Sequence, residues 1–140
     1  MRLTLTCAFS LAAFVVSAAA SGGTDRVANK ELPPGMKLIC EEHVDDFGGD
    51  GRAPTSIFWQ SYAADLQLAS VVRFYQNQFG SAPVRESLGA YQWKLNDGLI
   101  YAVFSPIDGS RWLRCATQPA GTGAVLLISK MSSAREALIK

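Results

Sequence analysis

Acidic residues, a histidine and glycines are concentrated in one stretch of the chain, residues 41–52 (EEHVDDFGGDGR). The stretch holds five of the twelve acids and the only histidine of the 140-residue sequence. Carboxylates and an imidazole serve hydrolases as acid, base and orienting partner, and carboxylate oxygens also bind calcium. The stretch therefore raises two chemical hypotheses, a catalytic group and a metal site. The simpler interpretation is a glycine-rich turn whose acids point to solvent.

The catalytic hypothesis uses His43 as a base that Asp45 or Asp46 orients, with a serine as the nucleophile. None of the serines lies in a Gly-x-Ser-x-Gly elbow, the motif that presents a nucleophile in many hydrolases. A small extracytoplasmic hydrolase therefore remains an alternative function, and the sequence favours a protein without catalytic activity.

The metal hypothesis places the carboxylates of Asp45, Asp46 and Asp50 around a cation. A loop of the EF-hand type that starts at Asp46 has Gly48 at its third position and Ile57 at its twelfth. Two of the oxygen ligands that such a loop needs are therefore absent. The sequence predicts no metal and no other cofactor.

Residues 1–20 have the three-part pattern of a secretory signal peptide. Arg2 is followed by an apolar run and then by the small residues Ala18, Ala19 and Ala20. We predict cleavage after residue 20 and a secreted or periplasmic location. Removal of this segment leaves two cysteines, Cys40 and Cys115, and we predict that they form a disulfide in an oxidising compartment.

Charge and hydropathy limit the partners. Without residues 1–20, twelve bases balance twelve acids, so the chain as a whole attracts neither nucleic acid nor an anionic membrane. No later segment has the length and apolar character of a membrane span. The sequence therefore predicts a protein or small-molecule partner whose identity stays unknown.

One helix and a set of strands make up the predicted domain. Residues 21–34 are polar, and we predict a flexible tether there, followed by a single domain over residues 35–140. Asp65 is the predicted N-cap of the helix and Gly80 its predicted stop. The apolar side chains of the helix recur at its period and predict one buried face, formed by Leu68, Val71, Val72, Tyr75 and Phe79.

Alternating or apolar segments predict strands over residues 36–44, 56–63, 88–95, 99–105, 111–117 and 123–131. Asn96, Asp97 and Gly98 are typical of a hairpin turn. The order β-β-α-β-β-β-β predicts a two-layer α+β domain in which an antiparallel β-meander packs on one amphipathic helix. A capping box of Ser133 and Glu136 also allows a short C-terminal helix.

The predicted strand over residues 99–105 carries apolar side chains on both of its faces. The second face of the sheet must therefore be covered or form a binding groove. The covered arrangement is favoured by the layer rule. Trp112, flanked by Arg111 and Arg114, is the predicted rim for an anionic or aromatic ligand. The favoured function is therefore a small exported, disulfide-stabilised binding or interaction module. A secreted inhibitor or envelope accessory protein is a further alternative.

Overall fold

A computed structural model describes residues 22–46, 54–106, 115 and 121–133. They form one helix and six strands, which agrees with the α+β class predicted from the sequence. The helix α1 spans Leu68–Phe79. The strands are β1 (Lys37–Asp46), β2 (Thr55–Ala64), β3 (Val84–Arg85), β4 (Tyr91–Lys94), β5 (Leu99–Phe104) and β6 (Ala124–Ser133).

The six strands form one antiparallel sheet in the order β1-β2-β6-β5-β4-β3. Each of β3, β4 and β5 pairs with the strand that follows it in the chain. Strand β6 also pairs along its whole length with β2, in a register that runs from Thr55 opposite Ser133 to Ala64 opposite Ala124. The last described strand therefore lies in the middle of the sheet and joins its two halves.

Helix α1 packs on the sheet through the face that its apolar spacing predicts. Val71 and Tyr75 are fully buried, whereas Val72 is only partly buried. Gly80 has a left-handed conformation with φ 65°, and its N–H donates to the carbonyl oxygen of Gln76, so the predicted stop is confirmed. The predicted N-cap is wrong, because the residue before the first turn is Gln67 and no side chain caps it.

Aromatic side chains fill the space between α1 and the sheet. The rings of Tyr75 and Phe79 lie with centroids 5.0–6.0 Å from those of Trp93 and Tyr101. Trp93 also donates its indole N–H to the carbonyl oxygen of Ser81, at 3.0 Å. Contacts of this kind combine a large buried area with a fixed geometry, so they define how the helix sits on the strands.

The opposite face of β5 is buried as well. Ala102 and Phe104 pack there with Val125 of β6, and all three are at most 4% exposed. Strand β5 is therefore apolar and buried on both sides, as the sequence predicts for a central strand. This part of the second face is covered and is not an open groove.

Three segments differ from their predictions or lie outside the described part. Residues 22–34, predicted as a tether, pack on the domain, with Asp25 and Leu32 only 2% and 6% exposed. Of the predicted strand 111–117, only Cys115 is described, and it lies in a bend. Residues 134–140 of the predicted terminal helix are outside the described residues, and Ser133 belongs to β6.

The predicted pairing of Cys40 with Cys115 is present. Their Cα atoms lie 5.9 Å apart, inside the usual range for a disulfide, across a separation of 75 residues. The bond ties β1 to the segment that connects β5 with β6. In the described part of the chain, no helix has the length and apolar character needed to cross a bilayer.

Candidate functional site

The predicted catalytic residues lie on β1, near the end of the sheet. Nε2 of His43 lies 3.1 Å from Oδ1 of Asp45, and the two side chains are 57% and 52% exposed. The imidazole also contacts Phe58 on β2, edge to face, with 6.3 Å between the ring centroids. The structure thus brings His43 and Asp45 together, in solvent. The side chain of Asp46 is outside the described part.

A nucleophile for His43 is not found among the described contacts. Ser56 lies opposite Asp45 in the β1–β2 register. Its hydroxyl, however, forms a hydrogen bond of 2.8 Å with the hydroxyl of Ser132. An exposed pair of this kind lacks the cleft that would exclude water from a reaction, so the described geometry adds no support to a catalytic role.

Metal ligands are also not clustered in the described residues, which contain no group of three histidine, cysteine, aspartate or glutamate side chains placed to hold an ion. Asp50, one of the three predicted ligands, lies outside the described segments. The predicted ligand rim of Trp112, Arg111 and Arg114 lies outside them as well.

A buried carboxylate fixes the N-terminal loop to the core. Oδ1 of Asp25 accepts hydrogen bonds from the backbone N–H groups of Val27 and Ala28, at 3.0 and 2.7 Å. Its Oδ2 accepts from the backbone N–H of Lys30 at 3.2 Å and from the hydroxyl of Tyr101 at 2.7 Å. Four donors satisfy the charge, which gives Asp25 the geometry of a structural anchor and leaves it little capacity to bind a ligand.

A second polar contact links the same loop to β1 and β2. Oε1 of Gln60 accepts from the hydroxyl of Tyr62 at 2.7 Å and from the backbone N–H of Arg26 at 3.3 Å. Its Nε2 donates to Glu41 at 2.7 Å. Because Gln60 is fully buried, these bonds supply the partners that its amide would otherwise lack.

The tyrosines around Asp25 remain protonated far into the alkaline range. Burial raises the pKa of Tyr75 and of Tyr101 well above the ordinary value, and the hydrogen bond to Asp25 raises the pKa of Tyr101 further. Burial likewise raises the pKa of Tyr62. Within the described residues, the hydroxyl of Tyr75 has no hydrogen-bond partner. These groups can donate hydrogen bonds but cannot release protons near neutral pH.

A cavity of about 420 Å³ lies between α1 and the start of β4. We call it the α1–β4 groove, and it is lined by Leu68, Ala69, Val72, Arg73, Gln76 and Tyr91. Its floor is apolar and its rim carries a guanidinium and an amide. A second guanidinium, that of Arg85 on β3, lies 5.3 Å from the ring centroid of Tyr91.

Sequence reasoning did not find this groove. Leu68 and Val72 belong to the apolar stripe of the helix, and the periodicity assigned them to the core. In the structure they lie at the margin of that stripe and are only partly buried. The sequence feature that could have indicated the groove is Arg73, which lies next to the apolar stripe of the helix. A charged residue at that position is, however, also typical of an ordinary solvated face.

Comparisons of the chain with protein-family models, with curated proteins and with solved structures found no match.

Proposed function

We propose that the chain is a small exported binding module that holds a ligand with an apolar body and an anionic end in the α1–β4 groove. The observation that carries this proposal is the lining of the groove. Leu68, Val72 and Tyr91 offer apolar surface, Arg73 offers positive charge, and the six lining residues include no acid. An acyl carboxylate combines the two properties that such a lining would recognise.

The size of the groove supports this class of ligand. Its volume of about 420 Å³ falls within the range of small-molecule sites, roughly 300–1,000 Å³. The guanidinium of Arg85 lies against Tyr91, so positive charge extends beyond the rim residue Arg73. A contact with the exposed guanidinium of Arg73 would orient a carboxylate, and the apolar floor would supply most of the affinity.

Export is the second part of the proposal. Its support is the pattern of residues 1–20 together with the pairing of Cys40 and Cys115, since disulfides persist in oxidising compartments. The mass of the protein isolated from the producing cells tests it. We expect a chain that lacks residues 1–20 and gains two hydrogens on reduction. A chain that still begins at Met1 would contradict secretion or a periplasmic location.

Isothermal titration calorimetry with decanoate tests the groove, and decanol serves as the uncharged probe. Val72→Trp should fill the groove and abolish binding of decanoate. Ser70→Trp, the same residue placed on an exposed position of α1 outside the lining, should leave binding intact. Arg73→Gln should weaken decanoate and leave decanol unchanged, because it removes charge alone. Equal binding by both tryptophan variants would contradict the assignment of the groove.

A hydrolase is the second candidate, with His43 as the base that Asp45, 3.1 Å away, would orient, although the described residues place no nucleophile beside them. Hydrolysis of p-nitrophenyl acetate by the wild-type protein and by His43→Ala tests it. A rate that falls to the background in the variant would favour the hydrolase. Equal rates in the two proteins would remove His43 from any esterase mechanism.

A further inference from the structure

We propose that the outer edge of β1, with which no other described strand pairs, is a docking site for an extended basic segment of a partner protein, which adds to the sheet as a further strand. This surface is separate from the α1–β4 groove, so the inference does not depend on the ligand proposed above. Recognition by strand addition uses backbone hydrogen bonds for affinity and alternate side chains for specificity.

The two edges of the described sheet differ in length. At one end β3 contributes only Val84 and Arg85, directly after a proline, and short edges with a neighbouring proline resist pairing. At the other end β1 has ten residues. A bulge between Leu38 and Cys40 interrupts its first part, but the register with β2 is regular from Glu41 onward. In this regular half, about every second residue directs its backbone N–H and C=O away from β2.

A row of exposed apolar side chains runs across three neighbouring strands to this edge. Val44 lies opposite Ile57, and Ile57 lies opposite Met131, so the three form one row across β1, β2 and β6. Their exposed fractions are 40%, 39% and 54%. We call them the apolar row. A strand that pairs with β1 and carries an apolar residue opposite Val44 would continue the row and shield its outer end.

The charge of β1 defines the partner. Four of the six residues over 41–46 are acids, and residues 41–45 are exposed. Lysine or arginine side chains opposite these acids would be favourable. A second copy of the chain would instead place acids opposite acids. Antiparallel pairing of two β1 strands centred on His43 sets Glu41 opposite Asp45, and pairing centred on Val44 sets Glu42 opposite Asp46.

A probe peptide follows from the register. A strand antiparallel to β1 meets Asp46 first and Glu41 last. The sequence Lys-Lys-Ile-Thr-Lys-Lys then places isoleucine opposite Val44, threonine opposite His43, and a lysine opposite each acid. The matched control peptide, Lys-Lys-Ile-Pro-Lys-Lys, keeps the charge but contains a proline, which cannot donate to a strand ladder.

Fluorescence anisotropy with the labelled threonine peptide and the purified protein measures docking. We expect saturable binding, slowed hydrogen exchange of the backbone amides of residues 41–46, and much weaker binding of the proline peptide. Val44→Lys should weaken the threonine peptide by at least about tenfold, because it breaks the apolar row and adds a like charge. Val84→Lys makes the same change at the β3 edge, where the side chain is 63% exposed, and should leave binding unchanged.

Several results would overturn the proposal. Equal binding of the two peptides would reduce the interaction to nonspecific charge attraction. Equal loss in the two lysine variants would remove the preference for β1. A protein that dimerises on its own, and becomes monomeric in Val44→Lys, would assign the edge to a second copy. Failure of the threonine peptide to bind would also reject docking of a basic strand.

Discussion

Asp25 is a buried acidic residue, and both oxygens of its carboxylate accept hydrogen bonds. Its carboxylate holds a turn of the N-terminal loop from within and, through Tyr101, attaches that loop to β5. The polar composition and the two prolines of residues 21–34 predict a tether here. Hydrogen bonds that an aspartate accepts from the backbone N–H groups just after it are local and leave no periodic pattern, so hydropathy does not detect them.

Asp25→Ala should destabilise the fold strongly. The change leaves three backbone N–H groups and the hydroxyl of Tyr101 without their acceptor, and we expect a loss of about 3 kcal/mol in the free energy of unfolding. Urea denaturation measures it. Asp65→Ala removes an exposed carboxylate and should change the stability by less than about 0.5 kcal/mol. Similar losses in both variants would contradict the anchoring role.

For removal of the Tyr75 hydroxyl we predict the opposite effect, a gain in stability. It is buried and has no hydrogen-bond partner within the described residues. Tyr75→Phe keeps the aromatic packing and removes a desolvated polar group, so we expect the unfolding free energy at neutral pH to rise by about 1 kcal/mol. Urea denaturation of Tyr101→Phe provides the contrast, because that variant deprives Asp25 of a donor and should lose stability.

The same tyrosines predict an alkaline limit to stability. Because their pKa values are raised in the folded protein, the unfolded chain releases these protons first, above its ordinary tyrosine pKa of about 10. The contribution of these tyrosines to stability should therefore be constant below pH 10. Above pH 10 the free energy of unfolding should fall by up to about 1.4 kcal/mol per pH unit for each tyrosine. Tyr75→Phe should make the fall less steep. An unchanged slope in chemical denaturation at pH 10–11.5 would contradict this.

At the scale of elements, the sequence predicts secondary structure best where a hydrophobic period repeats several times or where a turn requires particular residues. Twelve residues of α1 display the helical period, and Gly80 ends the helix as predicted. The turn at Asn96–Gly98 is also confirmed, since Asp97 and Gly98 both have positive φ. The two-residue strand β3 has no period to detect. The α1–β4 groove depends on how two elements pack, which a single sequence does not encode locally.

Gly98 and Gly80 form a matched pair for testing the turn. Both have positive φ, 69° and 65°. A Cβ at Gly98 would lie 2.5 Å from the carbonyl oxygen of Met131, whereas a Cβ at Gly80 would meet nothing within 4 Å. Gly80→Ala should therefore cost about 1 kcal/mol of unfolding free energy from backbone strain alone. Gly98→Ala should cost about 2 kcal/mol or more because β6 must also move. Equal losses would show that the close approach is unimportant.

At the scale of the whole molecule, the Cys40–Cys115 bond closes a covalent loop across 75 residues and secures β1, the longer of the two edge strands of the described sheet. Conversion of both cysteines to serine should lower the unfolding free energy by up to ~4 kcal/mol, according to the chain-entropy relation for a loop of this length. Thermal and urea denaturation of the double variant measure it. A loss below about 1 kcal/mol would show that packing alone holds β1.

Strand β6 lies between β2 and β5, although β2 ends at Ala64 and β5 at Phe104, before β6 begins at Ala124. While the ribosome is still translating the segment before residue 124, β2 and β5 each have an unpaired edge on the side that β6 will occupy. Pairing at such separations is slow, so the nascent chain exposes the edge of β2 until β6 emerges, and the edge of β5 from the moment that strand is made. Premature termination before β6 would therefore yield an aggregating product instead of a shorter folded one.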